Sequence, residues 1–208
     1  MDNTLKKILL CITIFISVSS VNFIFAENNE ELYLKEDKLI IENLENNLAY
    51  TPHTENVNLD YLYQMIQQQR CAIDIAKNLL NNGGENEEVA QIAKDTIKKQ
   101  TITIANMENL MQTLINNLTQ DKVSEEKYLK EYEKTVKDMM SNLQNLKPRG
   151  NVDKNFLQEI IVHNQGTINI SNLIIKYTDN NEIKKIAEEL KNQQPATENL
   201  KKILESIK

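Results

Sequence analysis

With 208 residues the chain has room for one domain of ordinary size. Its 30 Asp and Glu outnumber its 24 Lys and Arg, a formal charge of −6, which argues against nucleic acid or an anionic membrane surface as the main partner. Two cysteines, Cys11 and Cys71, are too few for a disulfide-stapled scaffold.

The chain opens on Lys6 and Lys7, then runs apolar from Ile8 to about Ala26. A positive head, an apolar stretch and a small residue at the end predict a secretory signal over residues 1–26. The same run, left uncleaved, would be an anchor, the one route by which this sequence would meet a membrane. A lipoprotein reading through Cys11 is poorer, because Leu10 precedes it where a small residue is wanted. Cleavage after Ala26 removes Lys6, Lys7 and Asp2, makes the chain one unit more acidic, and leaves Cys71 alone. The mature protein is therefore expected outside the cytoplasm, periplasmic or extracellular, and soluble from Glu27 onward.

Four glycines and three prolines punctuate the rest, in clusters at Gly83-Gly84, Pro148-Arg149-Gly150 and Pro195. Between them apolar residues recur three and four apart, which predicts amphipathic helices and an all-α fold. Residues 27–57 are polar and carry Pro52; they read as a leader or linker, with a short helix at most around Leu39 to Leu48. A first strong helix is expected from Leu59 to Asn82, stopped by Gly83. A second, Glu87 to Leu118, carries the seam Ile97, Gln100, Ile104, Met107, Met111, Leu114 and Leu118. A third, over 122–146, presents Leu129, Tyr132, Val136, Met139, Leu143 and Leu146 at heptad spacing. A fourth is expected to begin at Asp153 as N-cap and reach Tyr177, and a fifth to begin near Asn181 with a kink at Pro195.

These helices contain a repeat. "YLYQMIQQQRCAIDIA" (Tyr61 to Ala76) lies over "FLQEIIVHNQGTINIS" (Phe156 to Ser171), with Met65 on Ile160, Ile66 on Ile161 and Ile73 on Ile168. Gln68 falls on His163 and Gln69 on Asn164; Gln100 falls on Gln193 once the turn is shortened by two residues. The pattern predicts one helical hairpin used twice, 59–118 and 153–207, joined by the third helix over 122–146 and packed as a bundle spanning 58–208. Both hairpins aim a polar pair at the bundle centre, where an unpaired polar group is costly. The recurrence of Gln100 and Gln193 suggests amides that brace this polar core.

"MIQQQRCAIDIAKNLL" and "IIVHNQGTINISNLII" resemble degenerate copies of the motif M-I-x-H-H-x-x-A-I-x-M-A. That motif marks the family called domain of unknown function 305, a ferritin-like set of secreted bacterial bundles. "IKKQTITIANM" (Ile97 to Met107) resembles the family's second signature, I-x-x-x-Q-x-x-E-I-x-x-M, and departs from it at Thr103. The resemblance covers about Leu59 to Leu204. It implies a central site of paired histidines, and copper or related metals as ligands in some members. Here His163 alone keeps a motif histidine, and Gln68, Gln69 and Asn164 take the other places, so the inherited site is expected to be weakened or lost.

Two ligand sets remain open. His163 either ligates a metal or bonds to amides across the bundle, with Glu159 one turn earlier placed to orient its ring. Met65, Met107 and Met111 with Cys71 would suit Cu(I) beside His163, or they simply fill the core. No cofactor is required by the sequence; copper or zinc is the candidate. No Glu-x-x-His spacing of di-iron bundles, Gly-rich phosphate loop or triad context occurs, so no enzyme activity is expected. The expected role is a non-catalytic envelope protein descended from a metal-binding family, its partner a metal ion or another protein. The alternative is a structural or interaction bundle whose polar core specifies packing; homo-oligomers fit either.

Overall fold

The computed structural model describes residues 28–117 and 119–207. The expected signal at 1–26 lies outside them. The chain is an all-α bundle: α1 (Asn29–Ala49), α2 (Val57–Asn81), α3 (Glu87–Asn116), α4 (Lys122–Gln144), α5 (Val152–Ile174), α6 (Asn181–Lys191) and α7 (Gln194–Ser206).

The many asparagines have a local use. Asn28, Asn56, Asn86, Asn151 and Asn180 each precede a helix and accept from its first-turn N–H groups, and Asp121 does the same for α4. A short side-chain oxygen satisfies donors that the helix itself leaves free. Asn151 therefore takes the capping place expected of Asp153. The Asp153 Oδ2 instead accepts from the backbone N–H of Glu85 and Asn86, at 3.0 and 3.2 Å, and so ties the α2–α3 turn to the start of α5. Pro195 does not kink a fifth helix. It sits in the first turn of α7, where its missing N–H costs nothing, and the chain breaks between α6 and α7.

Residues 29–49 are not a leader. They form a helix of 21 residues whose Tyr33, Ile41, Leu44 and Leu48 are buried against the bundle. The reason is a longer repeat than the hairpins alone. "YLKEDKLIIENLENNL" (Tyr33 to Leu48) matches "YLKEYEKTVKDMMSNL" (Tyr128 to Leu143), at the same separation of 95 residues that relates Gln68 to His163. The unit that is duplicated is thus three helices, α1–α2–α3 and α4–α5–(α6, α7), and α4 is the second copy of α1 rather than a connector. The packing agrees: α1 lies on α2 as α4 lies on α5, α3 packs on α2 as α6 and α7 pack on α5, and α2 and α5 meet at the centre.

Two apolar clusters fill the ends of that central pair. One joins Tyr33 and Leu44 of α1 to Ala72, Ile75 and Leu79 of α2 and to Phe156 and Ile160 of α5. The other joins Tyr61, Leu62 and Met65 of α2 to Met107, to Tyr128 and Tyr132 of α4, and to Ile170 and Ile174 of α5. The first half of each central helix therefore faces the last half of the other, and the polar positions of both fall between the clusters.

The copies differ where Cys71 of α2 corresponds to Gly166 of α5. A Cβ at Gly166 would stand 2.2 Å from the Met139 sulfur and 2.5 Å from its Cγ. Met139 occupies the place of Leu44 in the other copy. Gly166→Ala is therefore expected to cost about 1–3 kcal/mol through forced repacking of Met139, less any gain in helix propensity. Urea midpoints of the two proteins measure it, and Met139→Ala in the same chain should recover part of the loss.

Candidate functional site

The polar layer between the two clusters is built on His163, 1 % exposed. Its Nε2 lies 2.9 Å from the backbone carbonyl oxygen of Gln68. A carbonyl only accepts, so Nε2 carries the proton and Nδ1 the lone pair. Burial pushes the His163 pKa down to about 4, against the raising effects of the Gln68 carbonyl and the Asn164 side chain, and the ring is neutral at neutral pH. Its Nδ1 finds no partner among the described residues. Neither do the two side-chain polar atoms of Gln68, the Gln69 Nε2, nor the hydroxyl of Thr167 one turn beyond His163.

The four motif positions differ in burial. Gln68, Gln69 and His163 are buried, whereas Asn164 is half-buried and lines a pocket of about 240 Å³ together with Gln100 and Gln193. Gln100 and Gln193 share this pocket and both are buried, but they do not brace the polar core by hydrogen bonds as expected. Their side-chain amides form no hydrogen bond among the described residues, and the Gln100 Oε1 and Gln193 Nε2 are buried without a partner. Met65 and Met107 are fully buried in one apolar cluster, with Met111, and Cys71 belongs to the other. The soft ligands expected around His163 are therefore divided. Burial, then the charges of Glu159, Asp74 and Asp37, push the Cys71 thiol well above its ordinary range, so it stands as a packed thiol.

The donors at the centre do not fit a transition metal. One imidazole is present, its Nε2 proton held by a backbone carbonyl, and the groups around it are amides, poor ligands for copper or zinc. No group of three His, Cys, Asp or Glu is placed to hold a metal among the described residues.

Glu159 does not orient His163. Its Oε2 accepts from the hydroxyl of Tyr33 at 2.6 Å, and it is 2 % exposed. Burial, and then its contact with Asp37, hold the Glu159 carboxyl well above the ordinary range; burial also raises Asp37. Two carboxyls facing each other out of water cannot both ionise, so they share a proton. A second acidic pair joins α2 to α4. Asp60 and Glu125 are both buried, and the Asp60 Oδ1 accepts from the backbone N–H and hydroxyl of Thr54 at 2.9 and 2.7 Å. Glu125 accepts from the Glu55 backbone N–H at 2.8 Å. Burial pushes Asp60 up to about 6, with Thr54 opposing and Glu125 adding to it. Sequence reasoning missed the first pair because Tyr33 and Asp37 lay in the supposed leader. The repeated Tyr-Leu-Lys-Glu would have revealed it.

Residues 53–204 match the model of the family described as Domain of unknown function (DUF305). The chain belongs to that family. No curated protein and no solved structure matches it. The DUF305 match takes in both polar motifs and both hairpins but begins after α1, so the helix that brings Tyr33 and Asp37 lies outside it.

Proposed function

We propose that this DUF305 protein is an exported, non-catalytic binding protein whose ancestral transition-metal centre has become a packing layer. The observation that carries the reading is the engagement of His163 Nε2 by the Gln68 carbonyl, with amides at Gln68, Gln69 and Asn164 where the family motif has imidazoles. Amides fill the places of the imidazoles as uncharged polar groups and give up their affinity for copper and zinc. Export is supported by the Lys-headed apolar run ending at Ala26. No helix of the described residues is long and apolar enough to cross a membrane.

Metal analysis of the native chain, purified without a metal-affinity column, tests the reading. The expected result is copper and zinc far below one equivalent. A full equivalent of either would overturn it and return His163, with methionine or Cys71, to the role of ligand.

A further inference from the structure

A cleft of about 350 Å³ lies between α1, the end of α4 with the loop after it, and α5. Leu34, Ile41, Leu143 and Leu146 give it apolar walls, and Asp37 and Glu159 line it as well. The equivalent positions of the other copy are uncharged. Gln64 stands for Glu159, Tyr132 for Asp37 and Tyr128 for Tyr33. Tyr128 donates to the Gln64 Oε1 at 2.7 Å just as Tyr33 donates to the Glu159 Oε2 at 2.6 Å. An amide therefore suffices for this bond and for this fold. The two carboxyls add a desolvation cost that packing does not need. Apart from the proton that the two carboxyls share, the Glu159 Oε1 and the Asp37 Oδ1 find no donor among the described residues. Among the described residues neither carboxyl forms an ion pair; Lys38, on the same cleft, is paired with Glu42 at 3.8 Å.

We propose that this cleft binds a small organic ammonium ion, a primary amine on an aliphatic stem, with the nitrogen against Asp37 and Glu159 and the stem between the leucines and Ile41. An ammonium brings three donors and a positive charge to two acceptor groups, and the stem covers walls that a bare metal ion would leave wet. The volume lies at the small end of the range for organic ligands. The charged and titratable groups around the pair are Tyr33, Lys38 and Glu42 on α1, Cys71 on α2 and Lys147 after α4. Among these the proton shared by Asp37 and Glu159 is the one that an arriving ammonium displaces, so binding strengthens as the pH rises. The inference does not depend on the fate of the metal centre, which lies between the two apolar clusters.

Calorimetric titration of the native chain with hexylamine, hexanol and calcium chloride, at about pH 6 and about pH 8, tests it. Hexylamine should bind with a dissociation constant below about 1 mM, more tightly at the higher pH, and hexanol at least about tenfold more weakly. Asp37→Asn and Glu159→Gln should each weaken the amine at least about tenfold, a loss of about 1.4 kcal/mol. Glu159→Gln reproduces the Gln64 arrangement, so its thermal unfolding should stay cooperative even if Asp37→Asn fails to fold. Equal binding of hexanol, preference for calcium, no binding of hexylamine at either pH, or unchanged affinity in Glu159→Gln would each overturn the proposal.

Discussion

A chain that begins at Thr51 will lose cooperative folding, whereas one that begins at Asn28 will keep it. The helix removed, α1, buries Tyr33, Ile41, Leu44 and Leu48, each less than a tenth exposed. Burial of such side chains contributes roughly 1.5–3 kcal/mol apiece, so the four together contribute on the order of 6–12 kcal/mol as an upper figure. A domain of this kind has a net stability of about 5–15 kcal/mol, so the loss is of the size of the whole. Polar groups are orphaned as well. Glu159 loses the Tyr33 hydroxyl, and the Asn78 side chain loses the Tyr33 backbone carbonyl to which it donates at 3.0 Å. Urea denaturation followed by circular dichroism should give a single sigmoid for the longer chain and a broad, shallow change for the shorter one. An unchanged midpoint would make α1 an appendage to a domain that starts, as the family match does, near residue 53.

His163→Gln will make the protein resist acid better than it does with the native histidine. The imidazole has an ordinary pKa of 6.5 and is held at about 4 in the fold. Between those values the unfolded chain takes up a proton that the folded one refuses. The native protein therefore loses stability as the pH falls from 6.5 to 4, by about 3 kcal/mol at 1.36 kcal/mol per unit. Asp60 acts in the opposite sense. Its folded value is about 6 against an ordinary 3.8, so its contribution is present at low pH and fades as the pH rises through about 6. The two effects oppose each other over one window and flatten the native profile. Glutamine at 163 copies Gln68 in the other repeat and removes only the histidine's part. Relative to the native chain, the variant should gain about 3 kcal/mol between about pH 7 and about pH 4, read from urea midpoints at both. Parallel behaviour at the two pH values would mean that His163 titrates as it does in water.

The helical seams were legible in the sequence because apolar spacing and scarce Gly and Pro act locally. Helices α2 to α5 appear close to where their periodicity put them, and α3 packs on α2 as α6 and α7 pack on α5. The unread part was α1. Its buried residues are sparse, Tyr33, Ile41, Leu44 and Leu48 among many Glu, Asn and Lys, so composition overrode pattern. Comparing it with residues 128–143 would have shown that α1 is a full member of the repeat. At the centre, the inward placement of Gln68, Gln69 and His163 followed from spacing. Two facts did not: that His163 takes a backbone carbonyl as partner, and that Asn164 is half-buried and lines the pocket of Gln100 and Gln193. Both depend on how the central helices are rotated against each other, which helical periodicity fixes only to within a face. The pairing of Asp37 with Glu159 depends on contacts between segments over a hundred residues apart and carries no local signal.

The claim that the DUF305 centre has given up its metal is tested most directly by competition titration of the native chain and His163→Ala with Cu(I), Cu(II) and Zn(II). Dissociation constants weaker than about 10 μM are expected for all three ions, with no difference between the two proteins. Stoichiometric binding of any of them at submicromolar affinity, abolished by His163→Ala, would contradict it.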